Sequence, residues 1–78
     1  PAHISISADD RPNLIADILT TLSSKNMPAQ DLKAKLVPNI NVCNVTLVCY
    51  VKNAAAIDDI FAALKGITGV FKCTRTNH

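Results

Sequence analysis

The chain has 78 residues, a formal net charge of +2 and only three aromatic residues, Tyr50, Phe61 and Phe71. This length accommodates one small domain, which buries a modest core and gains most from adding a partner. The basic residues are scattered among acids without a run of like charge, so electrostatic capture of nucleic acid would be weak. No segment approaches the roughly eighteen consecutive apolar residues of a membrane span, and we expect no membrane contact.

The cysteines and the first residues indicate the setting of the chain. Three cysteines, an odd number at spacings unlike any zinc signature, are typical of a reducing compartment rather than of a disulfide framework. The first residues lack a basic region followed by an apolar core, and we therefore expect a cytoplasmic protein. Because the chain begins with Pro1 rather than Met, we expect it to be a piece of a longer protein.

The first predicted elements are a strand and a helix joined by an acidic turn. Residues His3–Ala8 alternate apolar and polar side chains, which predicts a half-buried strand. Asp9 or Asp10 is expected to cap the free amides of the next helix, and Pro12 suits its first turn. Apolar residues at helical spacing predict that this helix extends to about Ser24. The turn places N–H donors and mixed charges at the carboxyl end of a strand, where small polar ligands can bind.

The middle of the chain predicts two strands. Asn26 and Pro28 are expected to end the first helix, because Asn can adopt a left-handed closing conformation and proline excludes Met27 from the helical region. The second strand alternates apolar residues with charged ones. The apolar residues are Leu32, Ala34 and Leu36, and the charged ones are Asp31, Lys33 and Lys35. This pattern suits the edge of a sheet, where lysines discourage unwanted pairing. After a turn at 38–41, Val42–Val51 is the longest apolar run and predicts a central strand.

The last third predicts a helix and a final strand. Asn53 is a good cap for a helix over Ala54–Lys65, which Gly66 closes. A strand follows over Val70–Thr76, with Phe71, Cys73 and Arg75 on one face. The order strand, helix, strand, strand, helix, strand predicts an α+β domain. We expect a ferredoxin-like βαββαβ sandwich, in which a four-stranded antiparallel sheet carries both helices on one face and the first and third strands lie in the centre.

The sequence contains no constellation typical of catalysis. The two histidines lie at the chain ends, and the adjacent carboxylates of Asp9–Asp10 and Asp58–Asp59 diverge from each other. Cys43 and Cys49 share a strand face but lie about 20 Å apart, so they cannot form a disulfide or hold one metal. We expect all three cysteines to be small core residues. The chain is therefore expected to be no enzyme and to need no metal or cofactor.

One stretch resembles a family signature. The sequence Asp10–Ile18, read as D-R-P-N-L-I-A-D-I, resembles the D-R-P-G-L-L-x-D-I motif of ACT domains. Val51–Lys52 and the final stretch Gly69–Arg75 resemble the ACT domain at the carboxyl terminus of RelA/SpoT-type (p)ppGpp synthetase/hydrolases, which act in the stringent response. The resemblance covers nearly the whole chain. It implies that residues 1–78 form a single regulatory domain, a C-terminal fragment of such an enzyme, without catalytic activity of its own.

The resemblance also implies a ligand site and partners. ACT domains commonly bind amino acids or other small effectors, often between two domains paired side by side. Carried onto this sequence, the effector residues are expected in the turn and before the second strand: Asp9, Asp10, Arg11, Pro12, Asn13, Leu14, Asn26, Met27 and Gln30. The two groups would come from the same subunit or from neighbouring ones. The family motif has Gly at the position of Asn13 and often an Asn-Ile pair at Pro28–Ala29.

Three hypotheses for the function follow. The first is effector sensing, or relay of the state of the parent enzyme to its other domains. The second is a module that dimerises through side-by-side sheet and helix pairing, with Leu32, Lys33 and Lys35 at the interface, or docks to protein or the ribosome. The third is a nucleic-acid-binding domain. The sheet lacks exposed aromatic side chains on which bases could stack, so this hypothesis depends on a salt-dependent contact through Arg11, Lys33, Lys35 or Arg75.

Overall fold

The computed structural model describes residues 2–76, which form four strands and two helices in the predicted order. Their bounds are β1 Ala2–Asp9, α1 Leu14–Ser24, β2 Ala29–Val37, β3 Val42–Cys49, α2 Ala54–Lys65 and β4 Val70–Thr76. The strands form one sheet in the order β2-β3-β1-β4, and every neighbouring pair is antiparallel. The expected ferredoxin-like α+β fold, with the first and third strands in the centre, is confirmed.

Apolar and polar side chains alternate along the two central strands, and the apolar ones form the core. Ile4 lies opposite Leu47 and Ile6 opposite Val45, so both strands turn their apolar side chains to the same face. The two helices cover that face with residues at helical spacing: Leu14, Ile18 and Leu22 from α1, and Ile57, Ile60 and Leu64 from α2. Within residues 2–76 no polar or charged side chain is buried, and no helix has the length and apolar character to cross a membrane.

Local sequence sets two helix ends as predicted. Asn26 has a φ of 58°, and the N–H groups of Asn26 and Met27 donate to the carbonyl oxygens of Ser23 and Leu22, each at 3.0 Å. This pair of bonds is a Schellman closure, which satisfies the last carbonyls of α1. At the start of α2, the side-chain Oδ1 of Asn53 accepts a hydrogen bond from the Ala56 N–H at 2.9 Å.

The expected cap at the start of α1 is wrong. Asp9 is the last residue of β1, and the backbone N–H of Asp10 donates to the Asn41 carbonyl at 2.8 Å, so both belong to the sheet and its neighbouring turn. The N-cap is Asn13, whose side chain makes no capping hydrogen bond. Pro12 consequently precedes the helix instead of lying in its first turn.

Two strand details also differ from the predictions. Strand β3 ends at Cys49 rather than Val51, because the neighbouring strands offer their last partners opposite Cys49. In β4 a bulge makes Phe71 an extra residue between the paired positions, so Phe71 is 60% exposed and does not share the core-facing side with Cys73. Val70 packs against the core in its place. Neither detail has a signal in the alternation of the sequence.

Candidate functional site

The β1–α1 turn lies at one end of the sheet and is held there from both sides. The N–H of Asp9 donates to the Gly69 carbonyl at 2.9 Å, which ties the turn to the loop before β4. The bond from Asp10 to Asn41 ties it to the loop before β3. Both acidic side chains are exposed and make no hydrogen bond among residues 2–76. The turn is therefore fixed by its backbone and leaves its carboxylates in solvent.

Asn13 occupies the one position of this turn that requires an unusual backbone conformation. The Leu14 N–H donates to the Arg11 carbonyl at 3.4 Å, which makes Pro12 and Asn13 the central residues of a four-residue turn. Asn13 has φ 65° and ψ 10°, the left-handed values that the third residue of a type II turn needs. Glycine meets this demand best and asparagine next best, so the family's Gly and this chain's Asn13 satisfy the same backbone.

The first turn of α1 presents free donors beside this loop. The Asp17 N–H makes the first bond of the helical pattern, to the carbonyl four residues earlier, that of Asn13 at 2.9 Å. The N–H groups of Ile15 and Ala16 have no acceptor among the described residues, because Asn13 does not cap them. Unpaired amides at a helix N-terminus attract carboxylates and other anions. This end of the sheet thus retains the donors that the sequence predicted for a small ligand.

The half-buried Arg11 side chain holds the turn through three hydrogen bonds. Its Nε donates to the Thr68 carbonyl at 2.6 Å, its Nη1 to the Pro12 carbonyl at 2.9 Å, and its Nη2 to Asp17 Oδ2 at 2.7 Å. Gly69, beside Arg11, has φ 93°, a backbone conformation that glycine adopts without strain and other residues rarely adopt. Arg11 therefore connects the turn, α1 and the α2–β4 loop, and much of its guanidinium is engaged before any ligand arrives.

The second group of expected site residues lies at the opposite end of the sheet. Asn26, Met27 and Gln30 surround the start of β2, where Ala29 pairs with Cys49. The turn begins at Asp9, which lies seven residues along β1 from Ala2 at this end, a separation of about 24 Å. One chain therefore cannot place both groups around one small ligand, and the same-subunit version of the expected site is wrong. The version shared between neighbouring subunits stays a prediction.

Asn26, Met27 and Gln30 instead line a cleft within their own chain, which we call the Tyr50 cleft. Its volume is about 570 Å³. One wall consists of residues 25–28 with Gln30, and the other of Tyr50, Lys52 and the first two turns of α2. Tyr50 and Lys52 were not expected at a site, because the apolar run predicts a strand that includes Tyr50, whereas β3 ends at Cys49. The signal that could have identified this wall is a lone aromatic residue followed by a lysine and a helix cap.

The expected interface strand, β2, is an edge of the sheet. Leu32 packs against the core, but α1 does not extend over the rest of the strand, and Ala34 and Leu36 stay exposed, Leu36 by 58%. Lys33 and Lys35 are exposed on the other face. The edge therefore offers unpaired backbone groups together with apolar surface, and both favour pairing with another strand.

The face of the sheet away from the helices is polar and uncovered by other parts of the described chain. The strand register aligns Lys35, Asn44, Ser7 and Lys72 in one row across all four strands. Ser7 Oγ donates to Asn44 Oδ1 at 3.0 Å in the middle of this row. A shallow groove of about 350 Å³, lined partly by His3, Asp31 and Thr76, lies toward the other end. No Phe, Tyr or Trp ring lies among the described residues that line this groove, so it offers little surface on which a base could stack.

The described residues offer no cluster suited to chemistry. Cys43 and Cys49 are buried and Cys73 is half-buried, and all three are free thiols. Burial raises the pKa of the Cys49 thiol and of the Cys73 thiol, the latter despite the nearby charge of Lys65, so both favour the unreactive protonated form. No group of three or more His, Cys, Asp or Glu side chains within residues 2–76 is placed to hold a metal ion.

The described chain is a small sheet with an unpaired edge and two covering helices, and it has a turn or cleft of ligand size at each end. This architecture suits a binding module. The model of the ACT domain family matches residues 1–75. The chain therefore belongs to the ACT domain family, and the domain is regulatory and non-catalytic. No curated protein sequence matches the chain.

Solved structures share this fold at low sequence identity. The ACT domain from the GTP pyrophosphokinase of Chlorobium tepidum is 20% identical, with 96% of this chain and 95% of that chain covered and a TM-score of 0.81. The acetolactate synthase small subunit from Thermotoga maritima is 9% identical, with 95% and 45% covered and a TM-score of 0.83. A homoserine dehydrogenase from Thiobacillus denitrificans is 19% identical, with 95% and 16% covered and a TM-score of 0.77.

Proposed function

We propose that this ACT domain senses a small effector, most simply an amino acid, and passes its occupancy to the other domains of a RelA/SpoT-type (p)ppGpp synthetase/hydrolase. The observation that carries the proposal is the uncapped first turn of α1, where the Ile15 and Ala16 amides are free beside a rigid loop. The parent enzyme is supported by the similarity to the ACT domain of a GTP pyrophosphokinase.

Side-by-side pairing supplies the second half of this effector site. Val37 of β2 pairs with Val42, and Val42 pairs with Asp9, so the end of β2 lies at the same end of the sheet as the turn. If two copies join antiparallel along their β2 edges, the start of the partner's β2 comes to that end. Asn26, Met27 and Gln30 of one copy then approach the turn of the other, which a single chain cannot achieve. We infer a homodimer with Leu32, Lys33 and Lys35 at the interface.

Backbone amide NMR during titration with amino acids tests the effector. We expect saturable shifts at the amides of Asp10, Arg11, Asn13, Ile15 and Ala16, and the absence of any perturbation there at millimolar concentration would refute binding at the turn. Sedimentation velocity tests the pairing. We expect a dimer whose dissociation increases in Leu36→Lys, whereas the matched exposed variant Phe71→Lys leaves it unchanged. A monomer at high concentration would contradict the paired arrangement.

A second candidate is a docking module that binds protein or the ribosome without a small molecule. The observation that favours it is the uncovered sheet face, where the row from Lys35 to Lys72 places a cation at each side of the sheet. Charge reversal of Lys33 and Lys35 together should weaken ribosome binding by the parent enzyme and reduce its salt dependence. Unchanged binding would indicate that these lysines serve only to protect or pair the edge.

A further inference from the structure

The Tyr50 cleft combines an exposed aromatic ring with free donors and charges within one chain. Its volume of about 570 Å³ lies within the range of about 300–1,000 Å³ typical of ligand pockets. The ring of Tyr50 is 61% exposed on one wall, and Met27 and Pro28 supply apolar surface on the other. We propose that this cleft binds a purine nucleoside monophosphate, with the base against Tyr50 and the phosphate at the start of α2.

The start of α2 provides the donors for the phosphate. The N–H groups of Ala54 and Ala55 have no acceptor among the described residues, and Ala55 lines the cleft. Lys52 lies on the same wall and Lys25 on the opposite one, and neither makes an ion pair within residues 2–76. Free amides between two lysines favour a compact, doubly charged anion such as a phosphate monoester.

The aromatic wall suits the base. Tyr50 follows the last residue of β3, so neither neighbouring strand pairs with it and its ring stays exposed. Bases stack on exposed aromatic rings, and a purine covers more of the ring than a pyrimidine does. The side-chain amides of Asn26 and Gln30 line the opposite wall, where they can exchange hydrogen bonds with the edge of the base.

Asp59 is placed to bind the ribose. It lies one helical turn after Ala55 on the same wall, which corresponds to about 6 Å along the axis. In a nucleoside monophosphate a similar span separates the phosphate from the two adjacent ribose hydroxyls, and a carboxylate can accept hydrogen bonds from both. The same carboxylate repels further phosphate groups, so the cleft favours a monophosphate over a polyphosphate.

This inference goes beyond the proposed function, because it adds a ligand of a different class at the end of the sheet away from the turn. The proposed turn site needs two paired chains, whereas the Tyr50 cleft needs one. A nucleotide in contact with both walls would hold residues 25–28 against the start of α2. Since these residues lead into β2, occupancy is expected to restrict the strand along which two copies are proposed to pair.

Equilibrium dialysis of the chain with AMP and with GMP measures the binding. We expect saturation at one nucleotide per chain. Adenosine lacks the phosphate, ribose 5-phosphate lacks the base and CMP has a smaller base, and the first two should bind about tenfold more weakly than AMP. Affinity for any of the three equal to that for AMP, or no saturable binding of AMP and GMP at millimolar concentration, would overturn the proposal.

Variants with matched controls test the base and phosphate contacts. Tyr50→Leu should weaken AMP binding about tenfold and leave ribose 5-phosphate unchanged, whereas Phe71→Leu, at another exposed aromatic residue, should change neither. Lys52→Gln should weaken AMP binding about tenfold, and Lys72→Gln on β4 should not. All four positions are exposed, so the fold tolerates the changes. Equal losses in the variants and their controls would contradict a site in the cleft.

The ribose contact is tested by a difference between two ligands. AMP should bind about tenfold more tightly than its dideoxy analogue, which lacks both ribose hydroxyls. Asp59→Ala should abolish this difference, while Asp58→Ala, at the adjacent exposed residue outside the cleft, should keep it. A difference that persists in Asp59→Ala would overturn the role of Asp59.

Amide NMR distinguishes the failure of this inference from the failure of the proposed function. Shifts with AMP at Tyr50, Lys52 and Ala54–Ala56 assign the nucleotide to the cleft. Shifts with AMP that are confined to residues 10–16, or no shifts with AMP, overturn the cleft. A parallel titration with amino acids tests the turn separately, and shifts there leave the proposed function intact whatever AMP does.

Discussion

Asn13 occupies a backbone position that few residues tolerate, because its φ is 65°. Replacing it with glycine should change the free energy of unfolding by less than about 0.5 kcal/mol, since glycine accepts this φ but also frees the unfolded chain. Replacing it with alanine should cost about 1 kcal/mol, because a Cβ without a polar group is strained in this conformation. Urea unfolding followed by circular dichroism measures both. Equal stability of the alanine variant and the parent would show that the turn relaxes.

Arg11 has a structural role, because its guanidinium donates hydrogen bonds to three acceptors. The sequence around Arg11 does not reveal this role. The Arg11 side chain is 23% exposed, so Arg11→Ala should destabilise the fold by about 1 kcal/mol as several hydrogen bonds are lost. Asp17→Asn removes only the ion pair, and Asp17 is 49% exposed, so this change should cost less than about 0.5 kcal/mol.

Hydrogen exchange localises the effect of Arg11. The Asp9 N–H bonds to Gly69 across the contact that Arg11 braces, and its exchange should accelerate in Arg11→Ala while amides of the central strand β3 keep theirs. Uniform acceleration throughout the sheet would instead mean that Arg11 contributes only to global stability.

At the level of the elements, sequence prediction succeeded where short-range chemistry decides the structure. Asn26 and Asn53 each set a helix end by a bond to a residue three positions away, and both ends lie where the sequence placed them. It failed where another strand decides. Asp10 uses its backbone to bond Asn41 instead of entering the helix, and the bulge at Phe71 depends on pairing with β1.

The cap of α2 is the clearest test of an element. Asn53→Ala leaves the Ala56 N–H without its acceptor and should cost about 1 kcal/mol, whereas Asn53→Ser retains an acceptor and should cost less. Thermal unfolding of the parent, Asn53→Ala and Asn53→Ser proteins measures the order of their stabilities. Amide shifts should concentrate in residues 53–57, because the first turn frays before the rest of the helix. An alanine variant as stable as the serine variant would mean that water replaces the cap.

On the scale of the whole molecule, the two candidate ligand regions lie at opposite ends of the same helix. The turn precedes Leu14, and the Tyr50 cleft takes one wall from the closure after Ser24. The sequence named residues of both regions but could not place them, since only the strand register shows that the sheet length separates them. It also named β2 as an edge, yet the exposure of Leu36 depends on how far α1 extends over the sheet.

Two cysteines make the stability of the whole sheet depend on pH in the alkaline range. Burial raises the pKa of Cys49 in the central strand β3 and of Cys73 in the edge strand β4 above their ordinary values. The folded state therefore keeps these protons at a pH where the unfolded state loses them. The stabilisation is complete below the unfolded thiol pKa of about 8.5 and is lost as the pH rises through the raised folded values.

Urea unfolding as a function of pH should show this loss directly. From about pH 8 upward, the free energy of unfolding should fall more steeply in the parent than in a Cys49→Ala/Cys73→Ala variant, because the variant no longer has these protons to lose. A thiol reagent at neutral pH should label Cys73 before Cys49, since an edge strand opens locally while a central strand waits for global unfolding. Parallel pH profiles, or Cys49 labelled first, would mean that β3 does not lie in the protected centre of the sheet.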